Sequence, residues 1–322
     1  GANLGAMAES TKLVFPSINF LFLVIVFALI SLVLQIFVSY KGYAKYLKYL
    51  ALTLFAYVAS ALLININWLD VIGHLVVPNF SLSGDILILI CAALGTTISP
   101  YLFFWQTDQE VEEQIAKGEA TETQRRVSTS EVDIKKMRID VWSGMFISNL
   151  VMFFIIAASA ATLFQNGITN IATASDAALA LKPFAGDFAY VLFTLGILGT
   201  GFLSIPVLAG SASYAVSESF GWKYGLYRKL KQALAFYEVI ISAVFVGIIL
   251  NFVGLDPIKT LIYSAILNGL IAPIVLFLIV HISSSDKIMG QFKNTKSSKI
   301  FGFLIAGIMA VVAVIAIVFL LL

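Results

Sequence analysis

Apolar residues in this chain come in repeated blocks of about 20, the length an α-helix needs to cross the hydrocarbon core of a bilayer. Of its 322 residues, 60% are hydrophobic and only 12% charged, whereas a soluble domain carries about a quarter charged residues. Inside lipid every backbone N–H and C=O has to be satisfied by the protein itself, which leaves helices or a closed barrel. A barrel would alternate over segments of about 10 residues, and the blocks here are continuous. The expected fold class is therefore all-α integral membrane. We read eight full spans, at about 18–39, 45–66, 84–114, 138–164, 186–218, 232–253, 257–282 and 300–322, after a partial helix over 1–14.

Basic residues orient the spans. The loop 40–49 carries Lys41, Lys45 and Lys48, and the loop 108–139 carries Lys117, Arg125, Arg126, Lys135, Lys136 and Arg138. Lys223, Arg228, Lys229 and Lys231 fall in 219–232, and Lys287, Lys293, Lys296 and Lys299 in 284–299. These alternate loops hold 17 of the 20 basic residues and are expected to be cytoplasmic, in a cell (plasma or inner) membrane. Trp142, Trp222 and Trp68 then fall at the two interfaces, whereas Trp105 is expected to pack inside. Ser128, Thr129 and Ser130 precede Glu131 and Asp133, so a short capped helix is expected to begin there.

The block at 84–114 is interrupted by Gly95-Thr96-Thr97-Ile98-Ser99-Pro100-Tyr101. Pro100 has no N–H, so the carbonyl of Thr96, four residues back, loses its helical partner. A broken membrane helix with polar groups around the break is a common way to build a transporter's site near the midplane. The C-terminal end of the first half-helix favours a cation, and the donors offered, Thr96, Thr97, Ser99 and Tyr101, with Asn268 on a later span, are all oxygen donors. Oxygen suits hard divalent ions. Past the break, Gln106, Asp108 and Glu110, and Asn149 deep in the next span, are candidate pathway residues, though Asn149 better suits an interhelical hydrogen bond and the acids equally suit a solvated helix end. Glu238 is expected to pair with Lys231 or Arg228.

Enzyme chemistry finds no footing. His74 beside Asp70 and His281 lack a second ligand at metal-binding spacing, and no nucleophile–base pair or phosphate loop is recognisable. One cysteine, Cys91, excludes an intramolecular disulfide. The formal net charge of +2 gives no reason to invoke nucleic acid.

The run Gly95-Thr-Thr-Ile-Ser-Pro-Tyr-Leu-Phe-Phe-Trp-Gln, with Gly1-Ala-Asn-Leu-Gly-Ala-Met-Ala-Glu upstream, resembles the NRAMP family of divalent-metal transporters, and within it the NRAMP-related magnesium transporters. The resemblance implies a LeuT-type bundle of two inverted repeats. It covers residues 1–322 as a single transmembrane domain, corresponding to the family's third to eleventh helices, with the first two missing. The small-residue stretch that opens the chain at Gly1 is itself expected to lie inside a helix. Thr96 stands at the position whose carbonyl binds metal, Ser99 replaces a methionine that selects transition metals, and Tyr101 replaces a histidine associated with proton movement. Asn3 and Ala6 stand where proton-coupled members carry acids, and Ala265 where a coordinating glutamine is found. The expected function is divalent-cation transport across the bilayer, of Mg2+ with Mn2+ accepted, without proton coupling and with no cofactor, the metal being cargo. The alternatives are a proton-coupled Mn2+/Fe2+ carrier of the same family and an amino-acid or organic-solute carrier of the same fold.

Overall fold

The computed structural model describes residues 1–38, 49, 52–77, 83–98, 101–169, 171 and 173–321, without the side chains of 101, 102 and 321. The described elements are all helical. Six helices are long and apolar enough to cross a membrane: Phe20–Phe37, Glu131–Thr162, Ala189–Ser219, Leu234–Phe252, Pro257–Ser283 and Lys296–Leu321. Together they make the chain a multi-pass membrane protein. The other two expected spans take a different form. At 45–66 the described part is Leu52–Leu63, followed by a separate short helix, Trp68–Val76. At 84–114 the apolar helix is only Gly84–Thr97, and a distinct acidic helix, Gln106–Ala116, lies outside the apolar segments.

Local chemistry sets the helix starts. Asn19 accepts hydrogen bonds from the amides of Leu21 (2.9 Å) and Phe22 (3.2 Å), satisfying two N–H groups that have no partner inside the helix. Asp256 does the same for Ile258 (2.9 Å), with Pro257 in the first helical position, where its missing N–H costs nothing. Ser130 and Asp133 form a reciprocal capping box. The helix they open is not short: it runs 32 residues into the next span.

The described residues form two compact units. In the larger (1–68 and 104–258), the helix Ala2–Val14 packs between Phe20–Phe37, Ala189–Ser219 and Leu234–Phe252. Its core is built on Leu4, Met7, Phe27, Trp105, Tyr214 and Phe236. Helices in lipid gain little from the hydrophobic effect and associate through close packing and interhelical hydrogen bonds. Both are present. Met7 fills the space where a side chain on Gly201 would lie. Thr194 Oγ1 donates to the Ser10 carbonyl (2.6 Å), Ser60 Oγ to Ala180 (2.8 Å), and Asn3 Nδ2 to Ser204 Oγ (2.8 Å). Pro206 sits within a helix, and its own carbonyl accepts from Gln35 Nε2 (2.9 Å).

The smaller unit (69–103 and 259–322) packs Gly84–Thr97 against the other two helices. A Cβ on Gly95 would lie 2.1 Å from the Ala265 carbonyl oxygen, and one on Gly269 would lie 2.2 Å from that of Cys91. Backbone meets backbone here, which only glycine allows. Phe277 and Phe303 join the two long helices, ring centroids 5.9 Å apart.

Two outcomes are expected in thermal unfolding of the purified protein. Gly95→Leu forces the two backbones apart and destabilises by about 1–3 kcal/mol or more, whereas Gly144→Ala, which meets open space, leaves the transition in place. Thr194→Val removes one interhelical hydrogen bond and costs less, about 0.6 kcal/mol.

Candidate metal site and acidic helix

The broken segment ends its first half-helix at Thr97, with Ile98 as cap. Thr96 Oγ1 donates to the Ala93 carbonyl (2.7 Å), and Thr97 Oγ1 to Ala93 (2.8 Å) and Leu94 (3.1 Å). Both hydroxyls thus spend their protons on their own helix and keep lone pairs for a cation. Ser99 and Pro100 lie outside the described residues, as does the side chain of Tyr101. The chain resumes at Tyr101–Trp105 as a π-turn, a form found often at functional sites.

Asn268 is half-buried next to Gly269, whose backbone touches the Gly84–Thr97 helix. The contact therefore brings Asn268 within one residue of the glycine pair, and no hydrogen bond among the described residues ties up its amide. Ala265 is 8% exposed and packs in that contact. Among the described residues, no three His, Cys, Asp or Glu side chains come close enough to hold a metal ion together. Carbonyl and hydroxyl oxygens are the donors on offer near the break.

The pathway candidates separate. Asn149 turns back on its own helix, donating to the Met145 carbonyl (2.8 Å), instead of bridging helices. Gln106 donates to Glu110 (3.4 Å), and both line an open cavity of about 480 Å³ with Glu113, Asp140, Lys117 and Lys136. Burial raises the Glu110 carboxyl above its usual range, helped by Glu113 and Asp140. Glu238 is exposed, and neither expected partner meets it. Arg228 instead donates to the Tyr224 carbonyl (3.0 Å) and lies 4.9 Å from the centre of the Tyr227 ring. His74 contacts Asp70 at 3.3 Å on an exposed helix face, and Trp142 is exposed as an interface residue would be.

The acidic helix is docked, not solvated. Trp105, 2% exposed, sits against Gly210 and edge-on to Tyr214 at 6.2 Å. One turn on, Asp108 is 9% exposed. Glu112 accepts from the Tyr214 hydroxyl and from the Leu226 amide (2.7 Å), tying the helix to the end of Ala189–Ser219 and to the loop beyond it. Gly225, at φ 116°, gives that loop the left-handed turn that aims the amide at Glu112. Tyr224 donates to Glu218 (2.8 Å) in the same cluster. Burial pushes Asp108 up to about 7, and the negative charges of Glu218 and Glu112 add to it. A cavity of about 410 Å³ opens beside the cluster, lined by Gln35, Gln109, Glu112, Arg228, Lys229 and Tyr237. Glu112, Tyr214, Glu218 and Tyr224 come from three separated segments, so no local pattern marks them as a group.

The family model Nramp, natural resistance-associated macrophage protein-like, matches residues 1–319. The chain is 26% identical over 233 residues to the divalent metal cation transporter MntH of Yersinia pestis (strain Pestoides F), covering 72% of this chain and 51% of the relative. The MntH of Caldanaerobacter subterraneus subsp. tengcongensis is 24% identical over 252 residues (78% of this chain, 55% of the relative). That of Clostridium acetobutylicum is 22% identical over 251 residues (78% and 54%). The chain spans about half the length of the curated relatives it matches. Because the family match extends over nearly every residue, the chain belongs to the Nramp family.

Proposed function

We propose that this chain carries divalent cations across a cell membrane, Mg2+ with Mn2+ accepted, without coupling to protons, and that the metal is cargo. The observation that carries the reading is the apolar helix that stops at Thr97, short of a full crossing, with oxygen donors at its C-terminal end and Pro100 following. The names of the MntH relatives support a divalent metal as substrate. We take the chain as one transmembrane domain of LeuT type, in which broken helices rock against the remaining bundle. Its basic loops at 40–49, 108–139, 219–232 and 284–299 face the cytoplasm.

The selectivity argument rests on donor softness. Ser99 and Tyr101 offer oxygen where a thioether or imidazole would favour softer metals. Mg2+ gives up its waters reluctantly, so the site holds a partly hydrated ion between the Thr96 carbonyl, the hydroxyls of Thr97, Ser99 and Tyr101, and the amide oxygen of Asn268. Asn3, hydrogen-bonded to Ser204, puts a neutral pair where a proton carrier would need an acid.

Uptake into proteoliposomes, with Mg2+ and Mn2+ offered separately and a pH-sensitive dye inside, tests the reading. Both ions are expected to enter without acidification. Mn2+ entry with acidification and little Mg2+ entry would mean a proton-coupled carrier, and amino-acid entry without either metal would mean an organic-solute carrier. Ser99→Ala and Tyr101→Ala are each expected to weaken Mg2+ affinity about tenfold, the lower end of what lost metal-site support costs. Thr96→Val, which keeps the carbonyl, is expected to leave it nearly unchanged; equal effects at all three positions would contradict the carbonyl assignment.

A further inference from the structure

The cluster between the acidic helix and the end of Ala189–Ser219 contains three carboxylates and no base facing the buried one. Two of the carboxylates have hydrogen-bond donors. Glu112 takes the Tyr214 hydroxyl and the Leu226 amide, and Glu218 takes the Tyr224 hydroxyl. These bonds give Glu112 and Glu218 donors of their own. Asp108 is more than nine-tenths buried and receives no hydrogen bond from any described residue. The hydroxyl of Ser217, 0% exposed and beside Glu218 in the chain, is also without a partner.

The groups facing Asp108 come from every neighbouring element. Its own helix presents Glu112. The Ala189–Ser219 helix presents Glu218 and Tyr214, and the following loop presents Tyr224. On the Glu112 side, the cavity is lined by Gln35 of Phe20–Phe37, which is uncharged, and by Tyr237 of Leu234–Phe252, whose hydroxyl is committed to the Arg228 carbonyl (2.8 Å). Arg228 and Lys229 line the cavity on the Glu112 side, and the charges acting on Asp108 are those of Glu218 and Glu112. A carboxyl this buried, beside two carboxylates and with no cation or donor among the described residues, favours its neutral form. A metal does not meet the need, because no three acids here converge on one point.

We propose that Asp108 is a proton-binding site of this protein, occupied while the acidic helix is docked between Tyr214 and the 220–229 loop. The inference does not rest on the transport reading. Equilibrium binding at one carboxylate differs from stoichiometric proton movement, which the dye experiment reads separately. The linkage has a definite sign. Asp108 gains a proton on folding, so the protein loses stability as pH rises from the ordinary carboxylate range to about 7.

The test is infrared difference spectroscopy of the purified chain during a pH titration, following the C=O stretch of protonated carboxylic acids. A band titrating near neutrality is expected in the unaltered protein. It should vanish in Asp108→Asn and move its midpoint down by about one pH unit in Glu218→Gln, where one like charge is gone. No such band, a band that survives Asp108→Asn, or a midpoint indifferent to Glu218→Gln would each overturn the proposal. Thermal unfolding gives a second reading: Tm is expected to fall from about pH 5 to about pH 8 in the unaltered protein and much less in Asp108→Asn. Parallel profiles for the two would also overturn it.

Discussion

A backbone carbonyl in hydrocarbon has no water to turn to, and the packing of the larger unit is organised by this requirement. Where helices approach closely, a short polar side chain reaches across to a neighbouring carbonyl: Thr194 to Ser10, Ser60 to Ala180, Asn251 to Gly1, Gln35 to Pro206. Glycines make these approaches possible. Met7 lies in the space left at Gly201, and the first residue of the chain packs on Gly247. The same requirement gives the break its chemistry. Pro100 has no N–H to offer the Thr96 carbonyl, and on the proposed reading a cation with its waters is a partner of the right sign.

Much of the architecture is legible because it depends on properties that are local in sequence. Apolar length marks the six long helices, and Asn19, Ser130 with Asp133, and Asp256 with Pro257 mark starts that the structure places at those residues. The small residues at 1–9 announce a helix pressed against others, which the Gly1, Gly5 and Met7 contacts make real. Lengths are less legible where a span and a polar extension form one continuous helix, as at Glu131–Thr162, because no cap divides them and the helix runs unbroken through Gly144. The block over 84–114 reads as interrupted at 95–101, and its apolar helix does end at Thr97 after 14 residues; what composition does not show is that Gln106–Ala116 forms a separate, docked acidic helix.

The acidic helix was the harder case. Asp108, Glu110, Glu112 and Glu113 have the composition of a solvated helix end, and burial is a property of what lies opposite. What lies opposite is Tyr214, more than 100 positions on, and a loop whose turn depends on Gly225. No local rule links these segments. Even so, the fitting of the pieces is physically simple: Trp105 fills the space at Gly210, which fixes the helix, and the Glu112 bonds then fix its rotation so that Asp108, one turn earlier, faces inward. Asn149 and Glu238 are the converse. Each is a polar residue beside possible partners, and each resolves locally, one onto its own backbone and the other into solvent.

Two positions decide how protons enter the account, and they differ in kind. Asn3 and Ser204 form a neutral pair between two long-packed helices, with both groups satisfied and nothing to titrate. Asp108 sits in a cluster whose other acids are already stabilised by phenol and amide donors, so the burial penalty falls on it alone. A proton held at Asp108 is released when that burial is lost, and burial here depends on the docking of one helix. Proton occupancy at Asp108 and the position of the acidic helix are therefore linked variables. Acid favours the docked arrangement. The acidic helix follows Tyr101–Trp105 directly in the chain. On the proposed reading of the chain, pH then modulates how readily the helix leaves its dock, without a proton having to travel with the metal.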